Sequence, residues 1–553
     1  MHDTRAHTEG DRMGSAETAH TAAGAFWRAL AAAAMLAWAG AAHAEGEATA
    51  IERFEVGGNT LLESAAVARA LGPAPGSMTV AQMQAAAQRL QDAYRAAGWG
   101  AVLVLLPEQS LSDKVLHLQV VEGKLRQVNV TGQQRYSREN VLRSLPSLQP
   151  GTTPSLADLD RELLMVNDNP GKFARVVLQP GEATGEVDAL VSVQERPLLP
   201  WQWSLDNTGA PGTGALRATL LYQNANVADR DLVWGVRAAT SPTHPSRASA
   251  LGTTLRLPLY AQKLAIEGAL IASNTRSASN LTPAGELRFS GSGLSAGARA
   301  VWMLPSLGET KSQLALGFDA RVYRTRCGLG EFGAAGCGDT LNNTMHALPL
   351  TLSWTAHKLG SYLLRAQWVA NLPVGSAGRD ADYEANRPGA RSRYQLLRLD
   401  GEAQARLAPR WALGVRASAQ YAPRALVAAE QFGIGGMGSV RGYAERELVG
   451  DAGLAASLEL RSPLGAWVSG GASGSELLPV LALFVDAGQV SNHLDTQCLA
   501  ARTRCSLWSA GASAQWSLNQ RGLLRIDLAR AGADARDTRK GDWKLHFSLS
   551  YSL

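Results

Sequence analysis

Two ionisable residues in unusual company are where chemistry is to be sought. Arg441 lies in Gly435-Gly436-Met437-Gly438-Ser439-Val440-Arg441-Gly442-Tyr443, where Gly435, Gly436, Gly438 and Gly442 let a backbone fold back tightly. Asp486 lies in Phe484-Val485-Asp486-Ala487-Gly488. On an extended strand Phe484, Asp486 and Gly488 share one face, and apolar Leu481, Leu483, Val485 and Ala487 point away from it. Arg441 is then either a solvated surface arginine or a cation turned inward on a tucked loop. Catalysis is not what these residues suggest. Ser, His and Asp occur, but no HExxH or CxxC arrangement does. Asp206-Asn207 and Asp451, beside Gly450, read as turn residues. No enzyme activity, cofactor or metal site is expected.

The other reactive side chains are Cys327, Cys337, Cys498 and Cys505, two close pairs in polar, loop-like stretches. Spacings of this kind, without nearby His or carboxylate clusters, argue only weakly for zinc. In an exported protein they meet an oxidising compartment, so Cys327–Cys337 and Cys498–Cys505 bridges are expected.

The N-terminus carries such an export signal. Arg5, Arg12 and Arg28 precede an apolar run from Leu30 to Ala42, too short to span a bilayer, and Ala42-His43-Ala44 is a small-x-small cleavage site. Residues 1–44 read as a signal peptide, with Met13 a candidate start. After the first fifty residues no run of roughly 20 apolar residues follows, so no membrane-spanning helix is expected. A net charge of +5 on 553 residues, with no Lys/Arg run, gives no footprint for a nucleic-acid partner.

Two repeats come next. Phe54-Glu55-Val56-Gly57-Gly58 opens residues 51–125, and Val128-Asn129-Val130-Thr131-Gly132 opens residues 126–197. Each opening is an alternating strand ending at a glycine, where a turn needs freedom in φ. Helical segments follow, holding Val67 and Leu71 in the first repeat and Val141 and Leu145 in the second. A second helix then shows an apolar face: Met83, Ala86, Ala87, Leu90 and Tyr94 in one, Leu156, Leu159, Leu163 and Leu164 in the other. Alternating strands close each unit, Val115 to Val121 and Val187 to Val193. Units of about 75 residues in this order are small α+β domains.

Beyond Pro197 nothing reads as a long helix. Segments of about ten alternating residues recur between Gly, Asn, Asp, Pro and Ser. Trp411, Leu413, Val415, Ala417, Ala419 and Tyr421 oppose Arg416, Ser418 and Gln420; Trp543, Leu545, Phe547, Leu549, Tyr551 and Leu553 oppose Lys544, His546 and three serines. A soluble sandwich buries the apolar face; a membrane barrel turns it outward around a wet lumen. About sixteen such segments, an even number, and Trp and Tyr at their ends favour the membrane. Lipid leaves no backbone group unpaired, and only a closed barrel achieves that with strands. Residues 200–553 are therefore expected to form a 16-stranded antiparallel transmembrane β-barrel behind two small α+β domains.

This order of parts resembles the TpsB-type translocators of two-partner secretion (the hemolysin secretion/activation type), within the superfamily of outer-membrane barrels carrying POTRA domains. Asn167-Asp168-Asn169-Pro170 with Gln179-Pro180-Gly181 is similar to that family's second POTRA, and Leu205-Asp206-Asn207-Thr208-Gly209 to its first barrel strand. Val440-Arg441-Gly442-Tyr443 resembles the motif of its sixth extracellular loop, and Phe484-Val485-Asp486-Ala487-Gly488 that of its thirteenth strand. The resemblance implies that Arg441 pairs with Asp486 in the lumen. It further implies periplasmic POTRA domains, residues 51–125 and 126–197, that bind the N-terminal secretion domain of a large exoprotein, which then crosses the outer membrane unfolded. Outer-membrane lipid and, during biogenesis, the barrel-assembly machinery are implied partners. Two features depart from the family: only Glu45–Ala50 separate the cleavage site from the first domain, leaving no room for a plug helix, and the chain ends in Leu553 rather than Phe. The competing reading is an insertase for other barrels, but such proteins usually carry three or five POTRAs. A passive porin has no need of periplasmic repeats.

Overall fold

The computed structural model describes residues 48–553 except 75, 198, 210–211, 277–279, 283–284, 330–336, 338–341, 464–477, 494–496, 500–501 and 520. The expected signal peptide, 1–44, and the candidate start at Met13 lie outside the described residues. The chain divides into two compact units at Gly123/Lys124, slightly before the expected 125/126 boundary.

In the first unit, strand Arg53–Gly57 runs parallel to Val115–Glu122, which pairs antiparallel with Val102–Leu105. Helices Ser64–Leu71 and Val80–Ala96 cover one face. The longer helix starts at a capping box: Gln82 N–H donates to Thr79 Oγ1 at 3.3 Å, and Thr79 N–H donates to Gln82 Oε1 at 2.8 Å. Its buried stripe of Met83, Ala86, Ala87, Leu90 and Tyr94 packs on Leu116, Leu118 and Val120. The second repeat has the same sheet plan, with Lys124–Thr131, Glu186–Glu195 and Lys172–Pro180. The glycine ending each opening strand does the same job. Gly58 and Gly132 have φ of +79° and +85°, and an added Cβ would lie 2.3 and 2.2 Å from the carbonyl oxygens of Val120 and Val193. One expectation needs correcting. Helix Leu156–Asn167 buries Leu159, Met165, Val166 and Glu162, while Leu156 is exposed. Its inner face is shifted because the Glu162 carboxylate turns inward to accept from Ser147 N–H and Oγ at 3.1 and 2.6 Å.

The second repeat shares its compact unit with a closed barrel of sixteen antiparallel strands, to which the short piece Asn280–Thr282 is appended. Those used below are the first (Trp201–Asp206), second (Arg217–Val227), seventh (Lys311–Leu329), tenth (Gln395–Ala408), eleventh (Trp411–Tyr421), twelfth (Ala452–Pro463), thirteenth (Val480–Ser491), fifteenth (Gly522–Ala531) and sixteenth (Trp543–Ser552). The sixteenth pairs back onto the first, closing the ring. Period-two alternation sorts each strand: Leu316, Phe318, Val415, Leu483, Val485 and Leu545 are exposed on the outer wall, while Asp486, Asp527 and His546 are buried on the inner one. With the second repeat at one end, connections after odd-numbered strands open at the other. One of them holds a short helix not expected from sequence, Asp380–Asn386, which buries Tyr383 beside Tyr394.

Candidate functional site

The connection from the eleventh to the twelfth strand, residues 422–451, folds into the barrel. Its stem is a hairpin of Phe432–Ile434 against Leu448–Gly450. Gly435, Gly436 and Gly442 take φ of +107°, +95° and +91°, as a tight fold-back requires. Gly438 does not share that conformation, so the expected role of the glycines narrows to three of the four. Tyr443 reaches the far connection of residues 532–542, its hydroxyl accepting from Ala533 N–H at 2.9 Å and donating to the Trp508 carbonyl at 2.9 Å. Glu447 accepts there from the N–H groups of Asp537 and Thr538, each at 2.8 Å. Val440 is buried, and an added Cβ on Gly488 would come within 3.1 Å of its side chain.

These contacts hold Arg441, fully buried, against the inner wall. Its Nε and Nη2 each donate to Asp486 at 2.7 Å, in the two-pronged geometry of an arginine–carboxylate pair, and its backbone N–H adds a third bond at 3.0 Å. Nη1 reaches Glu459 at 2.7 Å and Asp527 at 3.4 Å, and Nη2 reaches Ser457 Oγ at 3.0 Å. Phe484 stacks on the guanidinium, ring centroid 3.3 Å from Cζ. Phe484 fits because Gly511 is across from it, where an added Cβ would meet the ring at 2.5 Å. Gly442 N–H donates to His546 Nε2 at 3.0 Å. One arginine thus joins the loop to the twelfth, thirteenth and fifteenth strands. Sequence motifs gave Arg441, Asp486, Phe484 and Gly488; Glu459 and Asp527 carry no motif, and only their places on inward-facing strand positions mark them.

Two further carboxylates hold the same loop. Glu430 accepts from Arg321 at 2.6 Å and from Arg398 at 3.0 Å. Asp451, read from sequence as a turn residue, is a buried hub: Arg387 donates to both its oxygens, at 2.5 and 3.2 Å, and Leu426 and His493 donate backbone N–H groups at 2.9 Å.

At the opposite end, the second repeat is fixed to the barrel's turns by the Asn167-Asp168-Asn169-Pro170 segment and its neighbours. Asn167 clasps Ala174 through its side-chain amide, at 2.7 and 3.1 Å. Asp168 pairs with Arg256, and Asn169 donates to the Ala225 carbonyl on the second strand at 2.8 Å. Lys172 is buried between Asn140 Oδ1 at 2.6 Å and Asp231 Oδ2 at 2.8 Å, and Tyr260 donates to the same Asp231 oxygen at 2.6 Å. Burial pulls the Lys172 ammonium below its ordinary range, against the opposing attraction of Asp231.

The first-strand motif serves the seam. Asp206 Oδ1 accepts from Thr208 N–H at 3.0 Å, an Asx turn. Asn207 extends the ladder past its end, donating to the Leu545 carbonyl at 2.8 Å and accepting from Phe547 N–H at 2.9 Å. Disulfides join Cys327 to Cys337 and Cys498 to Cys505, both on the far side from the second repeat.

Comparison with known proteins adds the following. Residues 343–516 match the family of haemolysin secretion/activation proteins ShlB/FhaC/HecB, and residues 49–123 match the ShlB-type POTRA domain. The outer membrane transporter CdiB of Escherichia coli O6:K15:H31 (strain 536 / UPEC) is 29% identical over 217 residues, 38% of this chain and 36% of that protein. CdiB-2 of Burkholderia pseudomallei (strain 1026b) is 29% identical over 136 residues, 24% and 22% of the two chains. The matched region thus spans about a third or less of these relatives. Among solved structures, CdiB from Escherichia coli superposes with a TM-score of 0.77 at 19% identity, covering 93% of this chain and 92% of that one. CdiB from Acinetobacter baumannii gives 0.70 at 17%, covering 92% and 91%. At such identities the likeness is one of fold.

Proposed function

Since this chain belongs to the TpsB-type family of POTRA–barrel proteins and lies in the cell outer membrane with its POTRA domains in the periplasm, we propose that it exports a large partner exoprotein, of the hemolysin or adhesin type, to the cell surface. In this reading residues 1–44 direct the chain out of the cytoplasm and are removed. The POTRA domains receive the partner's N-terminal secretion domain, and the barrel conducts the unfolded chain outward. No nucleotide is available in that compartment, so folding outside supplies the drive.

The observation that carries the reading is the Arg441 loop, held inside a sixteen-stranded barrel whose other end is joined to a POTRA domain. A passive pore needs neither feature.

The test is removal of residues 51–125. Barrel strands pair their own backbone, so the truncated chain should still insert and keep heat-modifiable mobility on a gel. Secretion of the cognate exoprotein should be lost. Normal secretion by the truncated chain rejects POTRA recognition.

A further inference from the structure

The loop between the eleventh and twelfth strands is fastened to opposite walls of the barrel. Arg441 ties it to Asp527 on the fifteenth strand, and Glu430 ties it to Arg321 on the seventh. In a ring of sixteen those two strands face each other. A loop held at both is a crossbar over the lumen, and an unfolded chain cannot pass beneath a crossbar that stays shut.

The two fastenings differ in kind. Arg441 is fully buried, bound by three carboxylates and a hydroxyl, and stacked on Phe484. Removing it from those partners strands the Asp486 carboxylate in a dry site. Glu430 is also buried, but its partners Arg321 and Arg398 keep 23% and 32% of their side chains exposed. Both side chains are thus partly open to lumen water and ions, so each has a solvated alternative when Glu430 leaves. The Glu430 carbonyl accepts from Gln420 Nε2 at 2.9 Å and, more weakly, from Arg398 Nη2 at 3.4 Å.

We propose that Glu430 is a releasable latch: its separation from Arg321 and Arg398 frees one side of the crossbar, which swings about the fixed Arg441 and opens the lumen. This rests on the export reading above and adds a residue that positions the loop shut. The latch also explains why two arginines from non-adjacent strands converge on one carboxylate. A single pair would hold the loop to one strand; two hold it against sideways drift as well.

The test separates the latch from export. In planar bilayers, purified Glu430→Gln, which keeps shape and loses charge, should show open probability raised several-fold over the wild-type chain. Arg398→Gln should move the same way by less, because Arg321 remains. A barrel with Arg321→Cys and Glu430→Cys, joined by a short bis-maleimide, should lose at least tenfold of its export, while each single cysteine variant treated alike should not. The native cysteines are paired and do not compete for the reagent. Heat-modifiable mobility checks that each variant is folded. Wild-type conductance from both glutamine variants, or normal export by the cross-linked barrel, overturns the latch. If the wild-type chain exports nothing, the export reading fails instead, and the conductance arm still decides the latch.

Discussion

Lys172 Nζ lies 2.8 Å from Asp231 Oδ2, with each side chain only 1% exposed, and this pair joins the second POTRA domain to a turn of the barrel. Neither charge can be removed alone without leaving its partner uncompensated in a dry site. Lys172→Ala or Asp231→Asn should each cost about 3–5 kcal/mol at this junction. An apolar double replacement, Lys172→Met with Asp231→Leu, should recover much of that. Limited proteolysis between the POTRA domain and the first strand reads the junction directly: fast cleavage in both single variants, slower in the double. Fully additive losses would show that the two residues act independently.

Glu195 gives the same domain a pH signature. Burial works to raise its carboxyl, but N–H bonds from Gln134, Arg135 and Tyr136 at 2.6, 2.6 and 3.2 Å, with Arg135 Nε at 3.0 Å, hold it below the ordinary range. A depressed carboxyl stabilises the fold fully above the unfolded value, about 4.3. That contribution falls away as pH drops through the folded value. Protection factors for the Gln134–Tyr136 amides should therefore be flat above about pH 5 and decline below about pH 4. Glu195→Gln should have lower protection and no such step. A step of the same size in the variant would assign the acid sensitivity elsewhere.

The disulfides bear on the loop as well as on their own hairpins. Cys498 and Cys505 pack in one apolar cluster with Val440, Tyr443 and Leu507. Bridges closing loops this short restrict the unfolded chain by roughly 2–3 kcal/mol each. Replacing Cys498 and Cys505 by Ser should lower the unfolding temperature and loosen the Tyr443 contact. Replacing Cys327 and Cys337 should lower the temperature alone. Peptide mapping without reductant should find the two bridges and no mixed pairing; four free thiols would contradict both.

The outer wall was the most legible part of this molecule, because period-two alternation is set by backbone geometry and each strand repeats it. The POTRA helices were legible wherever the apolar stripe was pure, as from Met83 to Tyr94. The reading slipped at Leu156–Asn167, where a buried glutamate breaks the stripe. The lumen was half legible. Arg441 and Asp486 stand in motifs whose glycines reveal unusual backbone or close packing. Glu430, Glu459 and Asp527 sit among ordinary neighbours, and their partners are brought together by barrel closure across long stretches of sequence. Asp451 shows the limit plainly: a carboxylate after a glycine has turn chemistry in one dimension, yet three dimensions give it Arg387.

The last prediction concerns Arg441 and Asp486. Among the described residues, every hydrogen bond accepted by the Asp486 carboxylate comes from Arg441: backbone N–H, Nε and Nη2. Glu459 is held independently by Arg461 at 2.6 Å, and Asp527 by Arg525 at 2.9 Å. Arg441→Ala therefore leaves one buried carboxylate with nothing, at a cost of roughly 3–5 kcal/mol, and frees the loop tip. Asp486→Ala leaves Arg441 two other carboxylates, so its loop should be held better than in Arg441→Ala. The double variant removes the stranded charge along with the arginine and should be no worse than Arg441→Ala alone. Arg441→Lys keeps the charge, but a single ammonium cannot make two parallel bonds to Asp486 while also reaching Glu459 and Ser457. It should fall between the wild-type chain and Arg441→Ala. Secretion of the partner and thermal unfolding, measured on all four variants, give the ordering. A double variant whose loss equals the sum of the single losses would mean that these two groups, 2.7 Å apart, do not work as one.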